Sequence, residues 1–381
     1  MLITRILQQT IIDKLANTKK IIILYGARQV GKTTLVRQIL AKVDLRCLSI
    51  NADEQKYIDV LSSRDGQKLG ELVAGYDLLF IDEAQRVPDI GINLKILIDQ
   101  LPKLKIIATG SSSFELANRI SEPLTGRAWT YTLFPISLAE LSNTHNQFEL
   151  KQKAESLLIY GSYPELFSIT NQQEKQHYLL NIASSYLFKD IFALSYIKNP
   201  HKLTDLLRLI AFQIGSEVSL SELAAQLEMT KDTVERYIDL LEKAFVLFRL
   251  SGFSRNLRKE VSKMDKIYFY DLGIRNTLIE NFKPLNQRDD IGKLWENYLI
   301  CERKKLLSYE QTPVNSYFWR TYTGAELDYV EEREGKLFGY EIKYQAKKLS
   351  KPPQSWLQTY PNAIFDYLNK ENYLDFCLKV D

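Results

Sequence analysis

The first 150 residues alternate short, largely apolar, strand-like runs with stretches of helical spacing. Residues 21–25 (Ile-Ile-Ile-Leu-Tyr), 45–50, 78–81 and 104–108 are such runs. Runs without polar alternation predict strands buried on both faces, as in a parallel sheet covered by helices. Residues 34–40 and 92–98 carry the apolar spacing of helices between them. Residues 1–150 therefore predict an α/β domain. From 151 to 214 the pattern turns helical, with apolar clusters at 178–180, 186–187, 191–192 and 206–210. From 215 to 280, short helices precede two aromatic-rich strands, and residues 281–381 mix helix with hairpin. The polar stretch 281–290, which contains Pro284, predicts a linker.

Chemistry enters at the first strand-to-helix junction. Gly26-Ala27-Arg28-Gln29-Val30-Gly31-Lys32-Thr33 fits G-x-x-x-x-G-K-[ST] between a predicted strand and a predicted helix. Inward-pointing backbone N–H groups and a helix N-terminus make a phosphate cradle there. The expected ligand is ATP, held by residues 26–33 and Thr34. Lys32 is expected to reach the β- and γ-phosphates and Thr33 to ligate Mg²⁺. The strand at 78–81 runs into Asp82-Glu83. Asp82 is placed to hold Mg²⁺ through its waters. Glu83 points elsewhere and is placed to polarise an attacking water.

A strand between the glycine loop and the Asp82 strand, and a Glu directly after that Asp, resemble the additional-strand ATPases and, within them, the AAA superfamily. The resemblance makes Thr109 and Ser111, in Thr109-Gly110-Ser111-Ser112-Ser113, candidates for a polar sensor beside the γ-phosphate. Arg127, and second Arg119, are candidates for an arginine at the γ-phosphate, a role worth about 10³–10⁵ in rate generally. Residues 26–34, 79–85, 109–113, Gly126-Arg127, Gly161-Ser162-Tyr163-Pro164-Glu165 and 186–191 together resemble prokaryotic AAA-type ATPases with an uncharacterised C-terminal domain. The resemblance covers most of the chain and implies chemistry more readily than biology.

Further on, a short helix over 219–227, capped by Ser219 or Ser221, leads through 229–232 into a longer one over 233–241. The pair resembles a helix-turn-helix module. Strands at 245–250 and 266–270 read as a wing. Arg255, Arg258, Lys259, Lys263 and Lys266 form the clearest basic cluster and make DNA a candidate partner. Against that, the second helix carries Asp232, Glu235 and Asp239, which repel phosphates, and winged helices also contact proteins or cover AAA domains.

Near the C-terminus, runs at 325–330 and 337–343 flank Glu334-Gly335, a tight-turn signal. With that turn at the centre, Asp328 faces Glu341 and Glu326 faces Lys343. Asp328, Glu341 and Lys343 then share one side. Opposed carboxylates need a positive charge between them, which Mg²⁺ or Mn²⁺ would supply. The pattern resembles the PD-(D/E)XK nucleases, with Glu296 as the acid of that fold's first helix, although no Pro precedes Asp328. A Glu326–Lys343 ion pair on a solvated face is the plainer alternative.

Composition narrows the field. At 45% apolar and 25% charged the 381 residues are ordinary for a globular chain, and a net charge of +3 does not by itself argue for nucleic acid. Cys47, Cys301 and Cys377 are far apart without a C-x-x-C pair, against zinc or a disulfide framework. His145, His177 and His201 are isolated. No apolar run reaches bilayer-spanning length, and the N-terminus lacks a signal-peptide pattern, so a cytoplasmic location is expected. The fold expected is an α/β AAA-type P-loop domain (1–150), a helical region (151–214), a winged-helix-like module (215–280) and a small nuclease-like α/β domain (281–381). The function expected is a Mg²⁺-dependent ATPase that rearranges its C-terminal modules. The alternative is a nucleotide-dependent switch with an inert nuclease-like domain and a protein partner. Oligomeric state, and an arginine acting within or between subunits, stay open.

Overall fold

The computed structural model describes residues 3–111, 124–187, 199–255, 264–345 and 351–380. Five strands form the first sheet: β1 (Ile21–Tyr25), β2 (Cys47–Asn51), β3 (Leu78–Asp82), β4 (Lys105–Gly110) and β5 (Ala128–Thr132). Their order is β2-β3-β4-β1-β5 and every pairing is parallel. All five residues of β1 are buried because the strand feeds two cores. Ile22 and Leu24 pack with the helices Leu7–Asn17 and Lys32–Leu40, while Ile21, Ile23 and Tyr25 pack toward Gln55–Leu61, Gly66–Leu72 and Ile90–Gln100. That double coverage is why the run has no polar alternation.

Strand β4 lies between β1 and β3, with Leu24 beside Thr109 and Ile81 beside Ala108. The carboxyl ends of β1, β3 and β4 therefore emerge side by side. Gly26, Asp82 and Thr109 meet there, although they are far apart in sequence.

The second sheet comprises β6 (Glu217–Val218), β7 (Leu247–Gly252), β8 (Asp265–Phe269), β9 (Asn315–Arg320), β10 (Glu326–Arg333), β11 (Lys336–Ile342) and β12 (Ile364–Leu368). Its order is β12-β11-β10-β9-β7-β8-β6. Strands from both sides of residue 281 share this sheet, because β7 pairs in parallel with β9 through Ser251–Tyr317 and Gly252–Phe318. The helix Leu220–Gln226 is capped by Ser219, whose side chain accepts from the Glu222 amide. The next helix, Lys231–Lys243, is capped by Thr230. Both lead into the β7–β8 hairpin. A 19-residue helix, Ile291–Tyr309, runs between the two sheets, and most of its side chains are buried.

The stretch 281–290 is a packed connection rather than a slack linker. The fully buried Arg288 side chain donates to the Asn281 carbonyl at 2.6 Å, to Asn276 at 3.0 Å and to Asp290 at 2.8 Å. Arg275 reaches the same Asp290 carboxylate at 2.5 Å. Burial alone would push that carboxyl up, but the two guanidiniums overcome it and hold it at about 2. Its pKa is below the ordinary value, so the stabilisation is full above the ordinary carboxylate range. It is lost as pH falls from about 4 toward 2. Asp290→Asn is expected to cost about 2 kcal/mol near neutral pH and to flatten the stability loss over that acid window. Urea unfolding from pH 7 to pH 2 measures both.

Candidate functional site

The glycine loop is shaped by backbone that few side chains tolerate. Gly26 has φ 151° and passes so close to the Leu133 carbonyl that a Cβ would collide with it. Gly31, at φ 95°, opens the helix Lys32–Leu40. Lys32 is buried, and its ammonium donates to the Gly26 carbonyl at 2.8 Å and the Ala27 carbonyl at 2.9 Å. Thr33 donates its hydroxyl to Asp82 Oδ2 at 2.7 Å, and Thr109, wholly buried, donates to the other oxygen of that carboxylate. Glu83 follows at φ 54°, a left-handed turn directly after β3. Gln85 donates one amide nitrogen to both Glu83 and Ser111, the latter at 3.0 Å. Lys32, Thr33, Asp82, Glu83, Thr109 and Ser111 thus converge at one end of the first sheet.

The donor set fits the expected group. Mg²⁺ takes hard oxygen ligands and is usually held by one or two carboxylates together with substrate phosphates. Thr33 and Asp82 would hold it here. Among the described residues no group of three or more Asp, Glu, His or Cys is arranged as a self-sufficient metal cage.

Arg127 is elsewhere. It precedes β5, whose first residue Ala128 pairs with Ile21, so it sits at the amino edge of the sheet. Five residues of strand, about 17 Å at about 3.3 Å each, separate that edge from the loop. Its guanidinium pairs with Asp99 at 3.2 Å. Within one chain it does not reach the site. Arg119, Ser112, Ser113 and residues 188–191 lie outside the described residues.

Other elements close around the loop. Tyr178 donates its hydroxyl to Gln29 at 3.1 Å. The Ser162 amide donates to Asp271 at 2.7 Å, and the Ser162 carbonyl accepts from the Ile136 amide at 2.8 Å. The motif 161–165 is therefore a junction between the first sheet and the second half of the chain. Sequence reasoning missed the most heavily bonded of these neighbours, Arg5. It is buried and donates to the Val30 carbonyl of the glycine loop at 2.7 Å, to Glu140 at 2.7 Å, to the Phe134 carbonyl at 2.5 Å and to the Tyr309 hydroxyl at 3.4 Å. A lone Arg in the apolar run 2–7 carries no motif, so nothing local marked it.

The C-terminal acids also converge, in the register expected from the turn. Tyr329 pairs with Tyr340 and Arg333 with Lys336. Lys343 bridges Glu341 at 2.7 Å and Asp328 at 3.2 Å. Glu326 does not pair with Lys343. It binds Lys266 at 2.5 Å, and Lys266 also lies 3.6 Å from Glu296. Burial, together with the Asp328 charge, raises Glu296 and Glu341 above the ordinary carboxylate range. Burial pulls Lys266 down, but the fields of Glu296, Glu326 and Asp328 outweigh it and leave its pKa raised.

Of the five basic residues expected to form a cluster, two lie among the described residues. Lys266 is 2% exposed and points into this acid group rather than at solvent. Arg255 pairs with Glu332. Arg258, Lys259 and Lys263 lie outside the described residues.

Residues 18–142 match the family model described as an AAA domain, and residues 151–285 and 291–372 match two domains of unknown function, DUF8612 and DUF4143. An uncharacterized protein of Mycobacterium tuberculosis is 29% identical over 326 residues, covering 85% of this chain and 70% of that one. An uncharacterized protein of Methanocaldococcus jannaschii is 28% identical over 355 residues, covering 80% and 74%. Among solved structures, the Walker-type ATPase of Pyrococcus abyssi is 18% identical with a TM-score of 0.49, covering 71% of this chain and 94% of that one. The RuvB Holliday junction branch migration motor of Thermotoga maritima is 20% identical with a TM-score of 0.32, covering 65% and 90%. The first sheet and its loop fall within the stretch that matches the AAA domain model. Among the described residues no helix is long and apolar enough to cross a membrane.

Removing Arg5 leaves Glu140 buried without its cation. Arg5→Ala is expected to destabilise the protein by about 3–5 kcal/mol, with Arg5→Lys intermediate, as read by urea unfolding.

Proposed function

We propose that the chain is a cytoplasmic Mg²⁺-dependent ATPase whose glycine loop is mechanically tied to its C-terminal region. The observation that carries this reading is the hydrogen bond of Thr33 to Asp82 at the lip of a loop whose lysine is already turned inward. Lys32 exchanges its carbonyl partners for phosphate oxygens, a stronger, charge-assisted contact. Thr33 and Asp82 would hold Mg²⁺, which would supply charge neutralisation at the phosphates. Glu83 takes the proton of the attacking water, and Gln85 fixes its carboxylate while tying it to Ser111, the residue two beyond Thr109. Arg5 joins Val30 of the loop to Tyr309 at the end of the long helix, so a change of loop shape on binding is felt where the second sheet is anchored. Because Arg127 lies at the far edge of the sheet, any contribution from it at the γ-phosphate comes from a neighbouring subunit.

The acid cluster favours a second element of this reading. Lys266 and Lys343 occupy the positions between Glu296, Glu326, Asp328 and Glu341 where a divalent cation would sit. That supports an inert nuclease-like region serving as a docking module rather than a second active site. DNA and a protein partner are both candidates for what it contacts.

Lys32→Ala is expected to abolish ATP binding. Glu83→Gln is expected to keep it while lowering kcat about 10²–10⁴-fold, measured by phosphate release with Mg²⁺ present. If both variants turn over ATP like the parent, the assignment is wrong. Incubation of DNA with Mg²⁺ or Mn²⁺ is expected to give no cleavage. Cleavage that disappears in Glu341→Ala would reverse the reading of the acid cluster.

A further inference from the structure

A cavity of about 500 Å³ opens where the first sheet, the β7–β8 hairpin and the long helix meet. Its volume lies in the range that small organic ligands occupy. One wall is aromatic. The Tyr270 ring lies 4.9 Å from Phe248 and 5.4 Å from Phe134, centroid to centroid, and all three line the cavity. Hydroxyls also line it, among them those of Thr132, Ser308 and Ser316.

Lys304 projects into this space with its ammonium 4.9 Å above the Phe248 ring. It makes no hydrogen bond or ion pair with any described residue. The carboxylate whose field reaches it, Glu242, is committed to Arg249, accepting from that residue's amide and Nε at 2.7 Å each. A half-buried ammonium group over an aromatic ring, without its own counter-charge, is poorly compensated. An anion entering the cavity supplies that charge, and the aromatic wall supplies a surface for a planar ring.

We infer that this cavity binds a small organic anion carrying a planar aromatic ring, with the ring against Phe248 and Tyr270 and the charge on Lys304. The site is separate from the glycine loop and makes no use of Lys32, Thr33 or Asp82.

Calorimetric titration with naphthalene-2-sulfonate tests it, with neutral naphthalene-2-sulfonamide as the isostere. The sulfonate is expected to bind one to one. Lys304→Met is expected to weaken the sulfonate about tenfold or more while leaving the sulfonamide unchanged. Ser308→Trp, which fills the cavity from an exposed helix position, is expected to block both. Binding should persist in Lys32→Ala, which separates this site from the glycine loop. Thermal melts confirm that each variant is folded. No saturable binding up to about 1 mM, or binding that Lys304→Met and Ser308→Trp both leave unaltered, overturns the assignment.

Discussion

The guanidinium of Arg5 is a charge held inside the protein, and the rest of the arrangement follows from how it is satisfied. Taking such an ion out of water costs several kcal/mol unless each donor finds an acceptor. Glu140 supplies the counter-charge, and the Val30 and Phe134 carbonyls and the Tyr309 hydroxyl take the other bonds. Each acceptor is itself fixed. Glu140 belongs to a capping box with Ser137, and Tyr309 also accepts from the Phe134 amide at 3.2 Å. The glycine loop, the chain leaving β5 and the last turn of the long helix therefore share one set of bonds. None can shift without leaving a buried polar group unpaired.

The same logic runs along the long helix. It buries Glu296, Glu302, Arg303 and Lys305, side chains that a helix of ordinary amphipathic pattern would leave in solvent. Each is matched by a different neighbour. Glu302 accepts from the Leu138 amide at 2.6 Å and from Lys305 at 2.7 Å. Arg303 is held by Glu331 of β10 at 2.6 Å and by the Phe376 carbonyl at 2.8 Å. Lys305 also donates to Ser162 at 3.3 Å. These partners come from before, within and after the second sheet. The helix thereby fastens the first sheet to the second through charges that exchange with water only at high cost.

What was legible in the sequence was what local geometry dictates. The inner strands β1, β3 and β4 showed because both faces are covered, while the half-exposed edge strand β5 was not read, and the glycine loop showed because positive φ at Gly26 and Gly31 restricts residue choice. The C-terminal register followed from Glu334-Gly335, which takes φ 50° and 74° at the turn. What was not legible depends on pairing across the chain. Arg5 meets Glu140 at a separation of 135 residues, and Lys266 meets Glu326 at 60. No periodicity records such a meeting. The place of Arg127 was not legible for a related reason. The resemblance left open whether it acts within or between subunits; β5 runs parallel to β1, so within one chain the residue before it belongs to the opposite edge. Lys266 misled because a lysine in an aromatic strand reads as a solvent-facing charge until the buried acids beside it are known.

Two lysine environments separate the two ends of the molecule. Lys32 is held by the neutral carbonyls of Gly26 and Ala27, contacts that an arriving phosphate oxygen outmatches because its charge strengthens the bond. That lysine can be drawn off its resting partners at little cost. Buried Lys266 and half-exposed Lys343 sit between carboxylates, and separation would strand like charges together. A divalent ion entering there must displace two ammonium groups and find each of them new partners. The same side-chain type thus leaves one site ready to exchange ligands and keeps the other filled from within. The difference lies in whether the oxygens around it carry a net charge.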